Sequence, residues 1–195
     1  DVMAEMGTLD DLDDLVAGCH ERGMRLILDL VVNHTSDQHE WFRRAVADPD
    51  GPYGGYYFLE RGTPDRAPNN WLSVFGGPAW EWDAGRRQYY MHNFLAAQPD
   101  LNFHNAEVQD ALLDTLRFWL ERGVDGFRLD TVNYYFHDAA LRDNPPRPES
   151  LDGTIDETGT YLYQLHLHDK TQPENLDFLA RLRVLLDSYG ARAMV

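Results

Sequence analysis

The sequence predicts an α/β fold on a parallel sheet, from three observations. A unit of helix, glycine and strand occurs three times, the strand candidates are apolar almost throughout, and the turns within each unit are short. The first unit opens at Thr8, an N-cap with Asp11 three residues on, a variant of the capping box. Leu12, Leu15, Val16 and Cys19 recur at helical spacing and Gly23 supplies the stop. Residues 24–32 (MRLILDLVV) follow, a run that suits a parallel strand buried on both faces.

About seventy residues, 35–104, then intervene, far more than a strand-to-helix loop needs. They hold Trp41, Trp71, Trp80 and Trp82 and half of the tyrosines, with turn signals at Asp50-Gly51, Gly54-Gly55, Gly76-Gly77 and Gln98-Pro99. The expectation is a small inserted subdomain with its own aromatic core. The second unit starts at Asn105, an N-cap, with Val108, Ala111, Leu112, Thr115, Leu116 and Trp119 as the apolar stripe. Glu121-Arg122-Gly123 closes this helix as Glu21-Arg22-Gly23 closes the first, and the strand 124–130 (VDGFRLD) comes next. Residues 138–160, rich in Pro, Asp and Gly, read as a long surface loop. A third helix over 173–189 ends at Gly190 and leads into a strand at 192–195.

Composition narrows the function. With 17 Lys+Arg against 33 Asp+Glu, the net charge of -16 repels phosphate backbones and anionic lipid, so nucleic-acid and membrane-surface binding are disfavoured. No stretch reaches the roughly 18–20 uninterrupted apolar residues of a membrane span. Cys19 is the single cysteine, which excludes an intrachain disulfide and points to a reducing, cytoplasmic setting. The chain does not begin with Met or a signal peptide, and its last residues read as a strand just begun, so an internal piece of a longer catalytic domain is expected.

The chemistry sits where the strands turn polar. The first ends Asp29-Leu30-Val31-Val32-Asn33-His34 and the second Gly126-Phe127-Arg128-Leu129-Asp130. Alternation puts Arg128 and Asp130 on one strand face and Asp29 on a face with Val31 and Asn33. Asp29 and Arg128 on neighbouring strands can pair, and since a buried unpaired charge is costly, each favours the other. An arginine two residues from Asp130 keeps that carboxylate ionised, as a nucleophile requires. Among the histidines, His166 and His168 lack companions at zinc-ligand spacing.

These two segments resemble the first and second signature regions of the α-amylase superfamily, glycoside hydrolase family 13. Gln98-Pro99-Asp100-Leu101-Asn102 resembles the further region of its oligo-1,6-glucosidase and α-glucosidase branch, and Trp41-Phe42 and Asn69-Asn70-Trp71 extend the likeness along the chain. The resemblance implies a partial (β/α)₈ TIM barrel, from about the second helix to the start of the fifth strand. Residues 1–34 and 105–195 would form the barrel part, and 35–104 a subdomain inserted after the third strand that contributes to the substrate pocket.

It implies retaining hydrolysis of terminal α-glucosidic bonds in short α-glucosides, with Asp130 as nucleophile forming a covalent glycosyl-enzyme. Arg128 would hold Asp130, Asp29 would orient the site, and His34 would donate to a hydroxyl of the terminal glucose. Phe94 and Gln98 would line the pocket, with Phe75 near its entrance. Most of Tyr53, Tyr56, Tyr57, Trp80, Tyr89 and Tyr90 read as packing. In this branch Thr at the position of Thr131 goes with α-1,4 preference, whereas the Gln98 signature is often associated with α-1,6 enzymes; Thr131 adjoins the reacting bond and is favoured. The general acid/base, a Glu on the fifth strand, and a third carboxylate are expected beyond Val195, so the chain alone is expected to be inactive. Asn33 and Asp100 resemble calcium-binding positions of α-amylases, but the glucosidase branch generally lacks that site; no metal and no cofactor are expected. The alternatives are a trehalose synthase or sucrose isomerase type of transglucosylase, which shares these motifs, and a non-catalytic glucosidase-like ectodomain of amino-acid transporters. The expected partner is a small α-glucoside or oligosaccharide.

Overall fold

The computed structural model describes residues 2–148 and 160–195. Two compact units emerge: residues 1–31, 110–130 and 176–195 form the first, and residues 32–109 with 131–175 form the second.

The first unit carries a three-stranded parallel sheet. Helix α1 (Leu9–Glu21) begins with the expected capping box: the Thr8 hydroxyl accepts from the Asp11 N–H at 3.2 Å and the Asp11 carboxylate accepts from the Thr8 N–H at 2.8 Å. Strand β1 (Ile27–Leu30) pairs in parallel with β5 (Gly126–Leu129), which pairs in parallel with β6 (Ala193–Met194), giving the order β1-β5-β6. Helix α3 (Ala106–Glu121) precedes β5, and α4 (Asn175–Ser188) precedes β6. Asp125, just before β5, accepts from the Leu26 N–H, from His20 and from Arg25 at 2.7–2.9 Å. Burial opposes its charge, yet these donors prevail and hold its carboxyl below the usual range.

Three expectations change here. The first strand is shorter than 24–32 and is not buried on both faces: Ile27 and Val31 are exposed whereas Leu30 is buried. Among the described residues β1 pairs with β5 alone. In α1, Val16 is buried while Leu15 is exposed. In α3, Val108, Leu112, Leu113, Leu116 and Leu120 are buried, whereas Thr115 faces solvent and returns its hydroxyl to the Ala111 carbonyl. A residue every fourth position, with Leu113, makes the buried stripe, so Leu113 and Leu120 belong to it and Thr115 does not.

The second unit contains α2 (Glu40–Ala47) and an antiparallel sheet in which β4 (Gln88–Met91) lies between β2 (Leu59–Arg61) and β3 (Trp80–Asp83). Its core holds Trp71, Ala79, Trp80, Tyr89 and Met91. Trp71 and Trp80 stack at 6.3 Å, and their indole N–H groups donate to the Arg142 carbonyl and to Asn69. Asn70 is bonded twice to the backbone of Asn144, and Asn144 is itself buried. Residues 138–148 form a loop without helix or strand, as expected, and these bonds tether it to Asn69-Asn70-Trp71. The remainder of the stretch read as a loop, 149–159, lies outside the described residues.

Candidate active site

In the first unit the parallel register sets Asp29 beside Arg128. The Arg128 guanidinium donates through Nη1 to both Asp29 oxygens, at 2.7 and 2.8 Å, and lies 2.9 Å from Asp130, which directly follows β5. The expected pair is formed, but it is not buried. Asp29 and Arg128 side chains are each 53% exposed, and Asp130 is 24% exposed. Phe127, pointing the other way, is completely buried. Asp29 first, then Asp130, raises the Arg128 pKa above its ordinary value, so the guanidinium stays charged. The array thus offers a carboxylate at the C-terminal edge of a parallel sheet, steadied by a fixed cation that a second carboxylate orients.

In the second unit, the segment around His34 runs antiparallel to the segment around Asp100. Leu101 N–H donates to Asn33 C=O and Thr35 N–H to Pro99 C=O, and this ladder seats His34 beside Gln98. The Gln98 amide oxygen accepts from the Leu95 N–H, which leaves its NH₂ to donate to His34 Nε2 at 3.1 Å. Phe94 sits 5.4 Å from the His34 ring, 5.9 Å from Phe75 and 5.2 Å from Tyr134. Phe75 is 67% exposed, preceding the positive-φ pair Gly76 and Gly77. Neither ring is ordinary core. Beneath His34, Asn33 and Asp100 are buried, and Asp100 accepts from the N–H and the amide of Asn93. An imidazole, a side-chain amide and a partly exposed aromatic wall are what hydroxyl groups and a C–H face require.

Thr131 takes a left-handed backbone conformation, φ 47° and ψ 33°, and its hydroxyl is buried without a hydrogen-bond partner among the described residues. Such strain in a β-branched residue accumulates at functional sites. Tyr57, Trp80 and Tyr89 are buried, and Tyr53, Tyr56 and Tyr90 partly so. His166 is bonded to Asp169, and His168 lies 3.8 Å from Asp138. Among the described residues no three His, Cys, Asp or Glu side chains are grouped to hold a metal ion.

The model of the alpha amylase catalytic domain matches residues 1–195, the whole chain. The chain belongs to the α-amylase family. A probable alpha-glucosidase of Rhizobium meliloti (strain 1021) is 52% identical over all of this chain and 36% of its own length. Maltase 1 of Drosophila virilis is 41% identical over 98% of the chain and 30% of its own length. A crystal structure of an alpha-glucosyl transfer enzyme, XgtA, superposes with a TM-score of 0.91 at 51% identity, over 96% of this chain and 36% of that one. The chain therefore spans about a third of the length of the relatives it matches. Family membership implies a TIM-barrel fold, of which the α/β chain forms only a part. Within this α-amylase family chain, sequence reasoning missed Tyr134 beside Phe94, whose only signal was the aromatic run Tyr134-Tyr135-Phe136.

Proposed function

We propose that the complete protein hydrolyses terminal α-glucosidic bonds of short, maltose-like α-glucosides with retention, and that Asp130 is the nucleophile. The observation that carries this is Arg128 bridging Asp130 and Asp29 at the end of β5, in a chain matched throughout by the α-amylase catalytic domain. Asp130 attacks the anomeric carbon, the glycosidic oxygen leaves with a proton from a general acid, and the glycosyl ester on Asp130 is then resolved by water. Arg128 holds Asp130 in place and Asp29 holds Arg128. His34 and Gln98 bind hydroxyls of the terminal glucose, and Phe94 and Phe75 take its C–H face. Thr131 favours α-1,4 linkages. Retention demands a second carboxyl about 5–5.5 Å from the nucleophile; no carboxylate of this chain is assigned that role. In this reading β1, β5 and β6 are the third, fourth and fifth barrel strands, and residues 35–104 are an insertion after the third.

A second outcome has specific support. The likeness to an alpha-glucosyl transfer enzyme favours resolution of the glycosyl-enzyme by a sugar hydroxyl, giving transfer in place of hydrolysis. The test is glucose release from maltose and from p-nitrophenyl α-glucoside by the complete gene product and its Asp130→Asn variant, with added sugar acceptors to measure transfer. Asp130→Asn should lower kcat by at least about a thousandfold; retained turnover would remove Asp130 from the role. Residues 1–195 alone should release no glucose, and release by them would show that an acid/base lies among the carboxylates left unassigned.

A further inference from the structure

Lys170 is the sole lysine of the sequence; the other sixteen Lys+Arg side chains are arginine. Its ammonium makes no ion pair with a carboxylate among the described residues, and instead donates to two phenols, Tyr161 Oη at 2.8 Å and Tyr134 Oη at 3.3 Å. The two hydroxyls also share a hydrogen bond of 2.8 Å. The ammonium lies about as far from each ring, 5.1 Å from the centroid of Tyr134 and 5.0 Å from that of Tyr161. Tyr161 cannot drift, because its ring stacks on His166 at 3.6 Å, and His166 is bonded both to the Tyr161 carbonyl and to the buried Asp169. Tyr134, in contrast, reaches toward Phe94, whose ring also meets His34 and Phe75.

We propose that Lys170 is a positioning residue for sugar binding: clamped to Tyr161, it fixes the ring of Tyr134 and thereby the Phe94 wall beside His34. This rests on the proposed reading of that wall as the glucose-binding surface. A compact ammonium with three donors can satisfy two converging phenol oxygens, whereas a planar guanidinium directs its N–H groups in a rigid fork. Two linked phenols left without the cation would lose the acceptor satisfaction that holds Tyr134, and the wall would sample more than one arrangement. A substrate then pays to order it on binding, and the loss falls on KM more than on kcat.

The complete gene product and its Lys170→Met, Tyr161→Phe and doubly substituted variants should be compared by steady-state kinetics on maltose. Each single variant should raise KM about three- to tenfold with kcat within about twofold, and the double variant should be no worse than Lys170→Met, because both break one unit. Lys170→Arg should recover only part of the loss. Tyr161→Phe removes one oxygen and keeps the stack on His166, so it tests the clamp even where Lys170→Met fails to accumulate. Unchanged KM with a lowered Tm, or strictly additive effects, would overturn the proposal and leave Lys170 a stabilising residue. A native protein without α-glucosidase activity would fail the reading beneath; an active one with unmoved KM fails this inference alone.

Discussion

Thr131 shows how much can rest on a single residue. A left-handed conformation costs an L-residue roughly 1–2 kcal/mol, and β-branching makes it worse. Here the cost is borne directly after Asp130 by a residue whose buried hydroxyl has no partner among the described residues. A hydroxyl left in that state still has a hydrogen bond to offer, and a methyl in its place has none. Thr131→Val keeps the branched shape and the backbone cost, so the Tm should scarcely change. In the complete protein it should lower the ratio of kcat/KM on maltose to that on isomaltose by about tenfold; an unchanged ratio would dismiss Thr131 as a linkage determinant. Asp29, Arg128 and Asp130 were legible as a group because strand alternation and the cost of a lone charge both bring them together. Their exposure was not legible, since it depends on what covers the sheet. Tyr134 and Lys170 escaped because the contacts from 94 to 134 and from 134 to 170 join irregular segments, where no period links the partners.

Among the elements, β5 is the most constrained, and Gly126 is the reason. A Cβ at Gly126 would lie 2.2 Å from the carbonyl oxygen of Ala193, its register partner on β6, and that obstacle is backbone that cannot rotate away. Gly126→Ala should therefore push β6 off β5 and cost about 1–3 kcal/mol, as overpacking does. Urea unfolding of the variant would measure it; a loss below about 0.5 kcal/mol would mean that the strands separate freely. The boundaries of α1, α3 and α4 were legible to within a residue or two, because caps and glycine stops are local chemistry. Faces were read less well. Leu15 and Thr115 matched a helical period yet are exposed, because the period places residues on a side without saying which neighbour arrives there. The mooring of Asn144 to Asn70 crosses 74 residues and leaves no trace in either local pattern.

For the molecule as a whole, two buried groups in the second unit give stability an unusual dependence on pH. His137 is 2% exposed, its ring 4.0 Å from Phe58 and 5.3 Å from Trp71. Burial, aided by repulsion from His104, pushes its pKa down to about 3. An unfolded histidine binds a proton near 6.5, so between those values the unfolded chain holds the extra proton and stability falls as pH falls. Asp100 acts in the opposite sense. Burial pushes its carboxyl up to about 7 from 3.8, against the pull of Asn93 and Asn33, so the folded chain holds the extra proton and stability rises as pH falls through that window. Each slope approaches 1.4 kcal/mol per pH unit, roughly, and they oppose one another from about 6.5 to 4. The native protein should therefore show a nearly level contribution from this pair across that range, and a decline below it as His137 acts alone. Asp100→Asn removes one arm: its stability relative to the native protein should drop steadily as pH is lowered from 7 to 4. Urea midpoints at half-unit pH intervals would reveal this, and parallel profiles for the two proteins would mean that Asp100 ionises in the folded state as readily as in the unfolded chain.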